Sequence, residues 1–418
     1  MNRIRFAAPD MTEHECKSVN RVIESGWLTN GPVVRDFEEM IAIKSGCKKA
    51  VAFDSCTGAM EMALRVLGIG EGDEVITTPY TYSATAEVIR NVGAKIVFVD
   101  LAEDSFEMDY DKLEEAINPH TKAVMPVDIG GKLCDYERIF KAIRSKQRIF
   151  NPSNTVQSDI GRVAIVADAA HSFGADLLGY VSGQFADFTC FSFHVLKNLT
   201  TGGEGGAVVW RSFDDIGGDT TDEYIERQLR LYGDHGQTSR DKSKGWEYDI
   251  ELFGYNSIMT NIDAAMGIAQ LNRFDEIRNQ RIEITKRYDR LFDDCNEARP
   301  LIQHFGDNYT SAMHLYPIEL NTWYAPYFAA LGGDKLEEWR TGIYKTLLDN
   351  GVPCNVHYKP LPMMTAYKKL GFRIEDYPNA HKRFATLLTI PYHTYLDMEQ
   401  QEYIVKQIRK AVKPNVFR

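Results

Sequence analysis

Lys197 is the residue whose chemistry its surroundings shape most. It closes the largely apolar run Cys190-Phe191-Ser192-Phe193-His194-Val195-Leu196-Lys197-Asn198 and precedes the glycine-rich Thr201-Gly202-Gly203-Glu204-Gly205-Gly206. A lysine among apolar neighbours is partly desolvated, which disfavours the ammonium and leaves a nucleophilic amine suited to Schiff-base chemistry. The competing reading is a snorkelling side chain whose stem covers the apolar run. Three further constellations bear on the choice. Asp168 follows the apolar Val163-Ala164-Ile165-Val166-Ala167 and precedes Ala169-Ala170-His171. A carboxylate ending a buried strand stands where open α/β sheets meet ligands; otherwise it serves a local turn. The turn Asp54-Ser55-Cys56-Thr57-Gly58 joins an apolar run to a helical pattern. Its exposed N–H groups suit a phosphate, although Ser55 or Thr57 also serves as a plain helix cap. Tyr82 follows another apolar run and presents a face that stacks on a flat ligand or packs in the core.

These residues need a frame that brings them together. Short apolar runs recur near 50–53, 74–78, 95–99, 122–126, 163–167, 188–191 and 207–210, with helical patterns at 58–67, 83–91, 111–117 and 135–144. That alternation predicts an α/β fold with a mostly parallel central sheet covered by helices on both faces. Ahead of it, Thr12 caps a predicted helix reaching about residue 24, and a second covers 34–44. Residues 144–161 are polar, contain Pro152, and are expected as a surface excursion. From 260 to 292 the pattern predicts one long helix or two in series. Strands at 313–320 and 356–360 and helices at 335–350 and 398–412 then predict a smaller α+β domain. The expected division is a large domain, 1–275, and a small C-terminal domain, 276–418, with the N-terminal segment free to pack on the small domain.

Composition narrows the function classes. With 48 basic against 59 acidic residues, the net charge of −11 argues against a general nucleic-acid binder and against attraction to anionic membranes. The seven cysteines are scattered and odd in number, which points to reduced thiols rather than a disulfide framework. The first residues form no signal-peptide pattern and no apolar run is long enough to span a bilayer, so a cytoplasmic protein is expected.

Several tempting motifs fail on context. Gly68-x-Gly70-x-Gly72 follows a helix and precedes a strand, the reverse of a dinucleotide fingerprint. The glycines at 202–206 lead into a strand and lack the Lys-Ser/Thr of a P-loop. His171, Cys190 and His194 fit no usual metal-ligand spacing, so no metal is expected.

Together, these residues resemble the DegT/DnrJ/EryC1/StrS sugar aminotransferases, pyridoxal-phosphate enzymes with the aspartate-aminotransferase fold (fold type I). The match runs from about Gly26 to Asp397 and rests on motifs in the family's order: Gly26-Trp27-Leu28-Thr29-Asn30-Gly31-Pro32, the 67–76 segment, Ala167-Asp168-Ala169-Ala170-His171, the lysine segment, Gly254-Tyr255-Asn256 with Asn261-Ile262-Asp263-Ala264-Ala265, and Val356-His357-Tyr358-Lys359-Pro360-Leu361. The resemblance implies that Lys197 holds the cofactor through a Schiff base and later moves a proton between substrate and cofactor. It implies that Asp168 keeps the pyridine nitrogen protonated and Tyr82 stacks on the ring. Cys56 and Thr57 would hold the phosphate through backbone N–H groups, with the Ser192 hydroxyl. His171 would bond the ring hydroxyl oxygen, and Asn256 would reach the phosphate of a neighbouring subunit, making a homodimer with shared sites.

The chain departs from the family's pattern in places. Ile258 stands where an arginine is usual, Asp128-Ile129-Gly130-Gly131 replaces a commoner His-Leu-Tyr-Gly, and the 144–161 excursion is longer. These departures bear on the substrate pocket, for which His194, His357 and Lys359 are the candidate contacts. The implied activity is amination of a keto sugar, nucleotide-linked, with glutamate as donor, as in polysaccharide biosynthesis. The alternatives are the same fold acting on an inosose or an aminohydroxybenzoate precursor, and a non-catalytic regulatory relative. Lys197 argues against the family branch that has histidine at this position and performs a dehydration.

Overall fold

Continuously apolar segments of four or five residues build the main sheet, because strands covered on both faces have no solvent side to alternate with. A computed structural model describes residues 3–238, 245–330 and 332–413. Its first nine strands are β1 (Ala50–Phe53), β2 (Glu74–Thr77), β3 (Lys95–Phe98), β4 (Thr121–Met125), β5 (Ala164–Asp168), β6 (Asp176–Leu177), β7 (Tyr180–Val181), β8 (Phe188–Ser192) and β9 (Gly206–Trp210). Seven of them form one sheet in the order β1-β9-β8-β5-β4-β2-β3. Only β9 runs against its neighbours; β2, β3, β4, β5 and β8 pair in parallel. The mostly parallel, helix-covered sheet expected from the alternation is therefore present. The antiparallel exception has a local cause. Residues 193–205 form a folded loop without a crossover helix, so the chain returns beside β8 in the opposite sense. Lys197 sits on that loop.

The helices lie close to their expected positions. Cys56–Val66 buries Ala59, Met60, Ala63 and Leu64 against the sheet, with Ser55 as its N-cap. Glu13–Ser25 carries the Thr12 cap and a capping box with Glu15. The long pattern after residue 260 resolves into two helices, Asn261–Asn272 and Phe274–Phe292. The 144–161 segment is not merely an excursion. It contains a short helix, Thr155–Ile160, capped by Asn154. Buried Gln157 donates through Nε2 to Leu67 O at 2.7 Å, satisfying a carbonyl at the end of the Cys56–Val66 helix.

The C-terminal strands are β10 (Ala298–Pro300), β11 (Phe305–Gly306), β12 (Tyr309–Thr310), β13 (Tyr316–Leu320) and β14 (Leu387–Ile390). β10-β13-β14 form an antiparallel sheet whose core includes Tyr288, Tyr316, Ile318, Leu388 and Ile404, and Ile4 from the N-terminal segment. A four-stranded ribbon, β11-β12-β6-β7, sews this half to the first. Residue 276 lies inside the Phe274–Phe292 helix, whose Phe274 joins the main-sheet core and whose Tyr288 and Phe292 join the second. We propose that this helix is shared by the two domains.

The strand expected at 356–360 does not form. Asn355 exchanges backbone bonds with Thr389 at 2.9 and 2.7 Å, and the chain then turns away. Pro360 and Pro362 lack the N–H groups that a longer ladder needs.

Candidate active site

β5 and β8 end side by side, with Asp168 paired to Cys190 in register. Their C-terminal edge, with those of β1 and β2, opens on a cavity of about 770 Å³. Asp168 is buried there and anchored twice: Oδ2 accepts from Thr85 Oγ1 at 2.6 Å and Oδ1 from Ala170 N at 3.2 Å. Burial raises the carboxyl's pKa despite these donors and the nearby Lys197.

Lys197 lines the same cavity. Its loop is folded on itself by Phe193 N to Gly205 O at 2.7 Å, Val195 N to Gly203 O at 3.1 Å and Thr201 N to Phe193 O at 3.0 Å. Asn198, the next residue, donates through Nδ2 to Ala312 O and so ties the loop to the C-terminal half. Lys197 is half-buried. Desolvation of its amine outweighs the attraction of Asp168, the Cys56 thiol and Glu204, bringing its pKa down to about 8. A lowered pKa at the wall of a cavity is the setting an activated amine needs.

The start of the Cys56–Val66 helix lines the same cavity. Ser55 Oγ accepts from Gly58 N at 3.0 Å and fixes the start of the Cys56–Val66 helix. The Cys56 and Thr57 amides precede the first intrahelical bonds and sit at the positive end of the helix dipole. Gly206 pairs with Ser192 across β8 and β9. A Cβ on Gly206 would lie 2.3 Å from Cys56 N, so glycine is what lets the strand approach the helix start. Burial pushes the Cys56 thiol pKa far up, which leaves this residue its backbone role.

Rings form another part of the lining. His171 Nδ1 accepts from Gly130 N at 3.1 Å, and its Nε2 lies 3.2 Å from the Tyr358 hydroxyl. His314 packs 4.4 Å from His171, ring centre to ring centre, and its Nδ1 is 3.1 Å from Asn198 Oδ1. His357 Nδ1 is 3.0 Å from Thr389 Oγ1, and its ring stacks on Phe6. Burial, aided by Lys197, brings the His357 pKa down to about 4 and that of His171 well below the usual range. Tyr82 is exposed at the mouth, its ring 6.0 Å from that of Tyr358.

The model of the DegT/DnrJ/EryC1/StrS aminotransferase family matches residues 9–409. The chain belongs to this family. This aminotransferase is 33% identical over 416 residues to the spore coat polysaccharide biosynthesis protein SpsC of Bacillus subtilis, covering 98% of this chain and 97% of that one. It is 30% identical to the UDP-4-amino-4,6-dideoxy-N-acetyl-beta-L-altrosamine transaminase of Campylobacter jejuni, over 96% and 95% of the two chains. The solved PLP form of Spr1654 from Streptococcus pneumoniae superposes with a TM-score of 0.91 at 38% identity, over 98% of this chain and 99% of that one.

Of the site residues expected in this aminotransferase, Cys56, Thr57, Tyr82, Asp168, His171, Ser192, His194, Lys197, His357 and Lys359 all line the one cavity. Asn256 does not. It is exposed beyond β1, in a bridge with Asp234. Sequence reasoning missed Thr85, His314, Asn198 and Tyr358 as parts of the site. Thr85 stands three residues after Tyr82 and Tyr358 adjoins His357, so proximity in sequence offers a signal for both. His314 offered none, because its place depends on how residues 312–315 pack against Gly130 and Gly131.

Proposed function

We propose that this aminotransferase binds pyridoxal phosphate and converts a nucleotide-linked keto sugar to an amino sugar, with glutamate as the amino donor. The observation that carries the reading is a desolvated lysine, a buried carboxylate and an open helix N-terminus converging on one cavity. The donor set fits the cofactor: amides and a hydroxyl for its phosphate, a carboxylate for its ring nitrogen and an amine for its aldehyde. When bound, pyridoxal phosphate supplies an aldehyde that takes up amino groups and a ring that accepts the electron pair released on deprotonation.

Each residue then has a task. The Cys56 and Thr57 amides and Ser192 Oγ bind the phosphate, and Tyr82 covers the ring face. Asp168, held by Thr85 and Ala170, keeps the proton on the ring nitrogen. Lys197, with its pKa near 8, has about a tenth of its amine unprotonated at neutral pH. Its amine would hold the cofactor's aldehyde and would take and return the proton at the substrate carbon. His194, His357 and Lys359 face the sugar substrate.

The dimer is part of the reading. Trp246, Tyr248, Ile250, Phe253 and Tyr255 are exposed, Phe253 at 96%, and this density of apolar surface supports an interface there. Asn256 lies at the end of this stretch, and in a dimer Asn256 of the partner subunit completes the phosphate site. No helix among the described residues is long and apolar enough to cross a membrane.

The test is spectroscopic and then synthetic. Purified protein should show visible absorbance that glutamate bleaches and that a UDP-linked keto sugar restores with formation of an amino sugar. Full transamination by Lys197→Ala, or no bleaching by any amino acid, would sink the reading.

A further inference from the structure

His171 has one N–H to give, and its surroundings decide where it points. The Gly130 amide is a donor at 3.1 Å from Nδ1, so Nδ1 holds a lone pair. Burial keeps the ring neutral, which puts the single proton on Nε2. That proton faces the Tyr358 hydroxyl at 3.2 Å. The phenol oxygen accepts it, and the phenol's own proton is left to donate elsewhere. Among the described residues, the Tyr358 hydroxyl has no other hydrogen-bond partner. Tyr358 lines the cavity with Lys197 and Asp168 and stands next to Tyr82. Burial raises the phenol's pKa, so it remains a donor through the physiological range.

The turn behind this chain is held by several hydrogen bonds. Gly130 and Gly131 have φ of 66° and 94° in the turn Ile129–Gly131. The carbonyl of Gly130 accepts from His314 N at 3.1 Å, and Cys134 N and Ser172 Oγ hold the Asp128 carboxylate at 2.9 and 2.8 Å. The φ of 66° at Gly130 is one that a side chain would strain, so glycine suits the turn that aims His171.

We infer that Tyr358 is a hydrogen-bond donor to an oxygen of a molecule bound in the cavity, aimed by His171, which the Gly130 amide fixes in one tautomer. This rests on the proposed function and assigns to Tyr358 the contact with the ring hydroxyl oxygen, or with the sugar's oxygen, that His171 was expected to make itself.

Tyr358→Phe in the cofactor-loaded protein removes the hydroxyl and little else. If the acceptor is the cofactor's ring oxygen, the visible maximum or its pH midpoint shifts without any substrate present. If the acceptor is on the sugar, the resting spectrum and the glutamate half-reaction stay as in wild type and KM for the keto sugar rises about five- to tenfold. An unchanged spectrum with unchanged KM overturns the inference. His171→Leu should reproduce the effect, and Tyr358→Phe on that background should add little; fully additive effects overturn the aiming role. Wild-type protein with no visible absorbance would instead refute the proposed function, so the two failures are distinguishable.

Discussion

The burial that lowers the Lys197 pKa also costs the fold stability. Its pKa near 8 lies below the unfolded lysine value near 10.4. The unfolded chain therefore binds more protons between those limits, and stability rises with pH across that window. Below pH 8 both states are protonated and the full penalty of the buried ammonium is present. Cofactor-free Lys197→Met should accordingly be more stable than cofactor-free wild type at pH 7, by about 1–3 kcal/mol after allowance for partial exposure. The advantage should shrink as pH rises toward 10. Thermal melting of both proteins across pH 6–10 checks this, and an advantage independent of pH would assign it to packing instead. Thr85 supports the opposite charge. Thr85→Val removes the 2.6 Å donor to Asp168 and leaves the carboxylate on the Ala170 amide alone. Loss of a charge-assisted bond should lower kcat/KM about tenfold or more, with a shifted visible spectrum as the sign that the ring environment changed.

At the scale of elements, the site exists because two strands and a helix meet closely. Gly206 has an ordinary backbone conformation, so its requirement is steric. A Cβ would lie 2.3 Å from Cys56 N and 2.4 Å from Ser55 C. Gly206→Ala must push the helix start away from Ser192, and cofactor Kd should weaken more than tenfold while far-UV circular dichroism stays near wild type. Ser55→Ala acts on the same helix differently. It removes the cap bond to Gly58 and should cost about 1 kcal/mol of stability, read as a lower melting point with a smaller change in Kd. This contact also marks the boundary of what the sequence discloses. Periodicity located the main-sheet strands, because continuous burial leaves continuous apolar runs. The motif around Cys56, Asp168 and Lys197 was legible because each stands at the end of such a run. That signature is an incomplete guide, since β14 is as continuously buried as the main-sheet strands. The Asp222–Gly233 and Pro378–Thr386 helices and β14 drew no assignment, and 356–360 looked like a strand because His357 and Tyr358 line a cavity rather than a sheet. Thr85 and His314 owe their roles to contacts across 83 and 116 residues, which no local pattern records.

The whole molecule leaves one expected site residue outside its own cavity. Asn256 is exposed beside a stretch of large apolar side chains, an arrangement that makes sense when two copies exchange residues across a two-fold axis. The exchange predicts complementation. On the proposed reading Lys197→Ala would lack the reactive amine and Asn256→Asp would place a negative charge near the cofactor's phosphate, so each variant alone should be inactive or nearly so. In a mixed dimer the site with an intact Lys197 receives Asn256 from the Lys197→Ala subunit, and it should work. Random exchange of equal amounts makes about half the dimers mixed with one good site each, which restores about a quarter of wild-type sites. The measurement is transamination rate after co-refolding or subunit exchange, against either variant alone. If Asn256 acted on its own chain's cavity, both sites of every mixed dimer would be defective and no activity would return. Phe253→Asp should separate the copies, because it puts a charge at the most exposed aromatic of the stretch. A monomer by light scattering with weakened cofactor binding would connect the apolar stretch to the shared site. A dimer that persists with full cofactor affinity would move the interface elsewhere on the molecule.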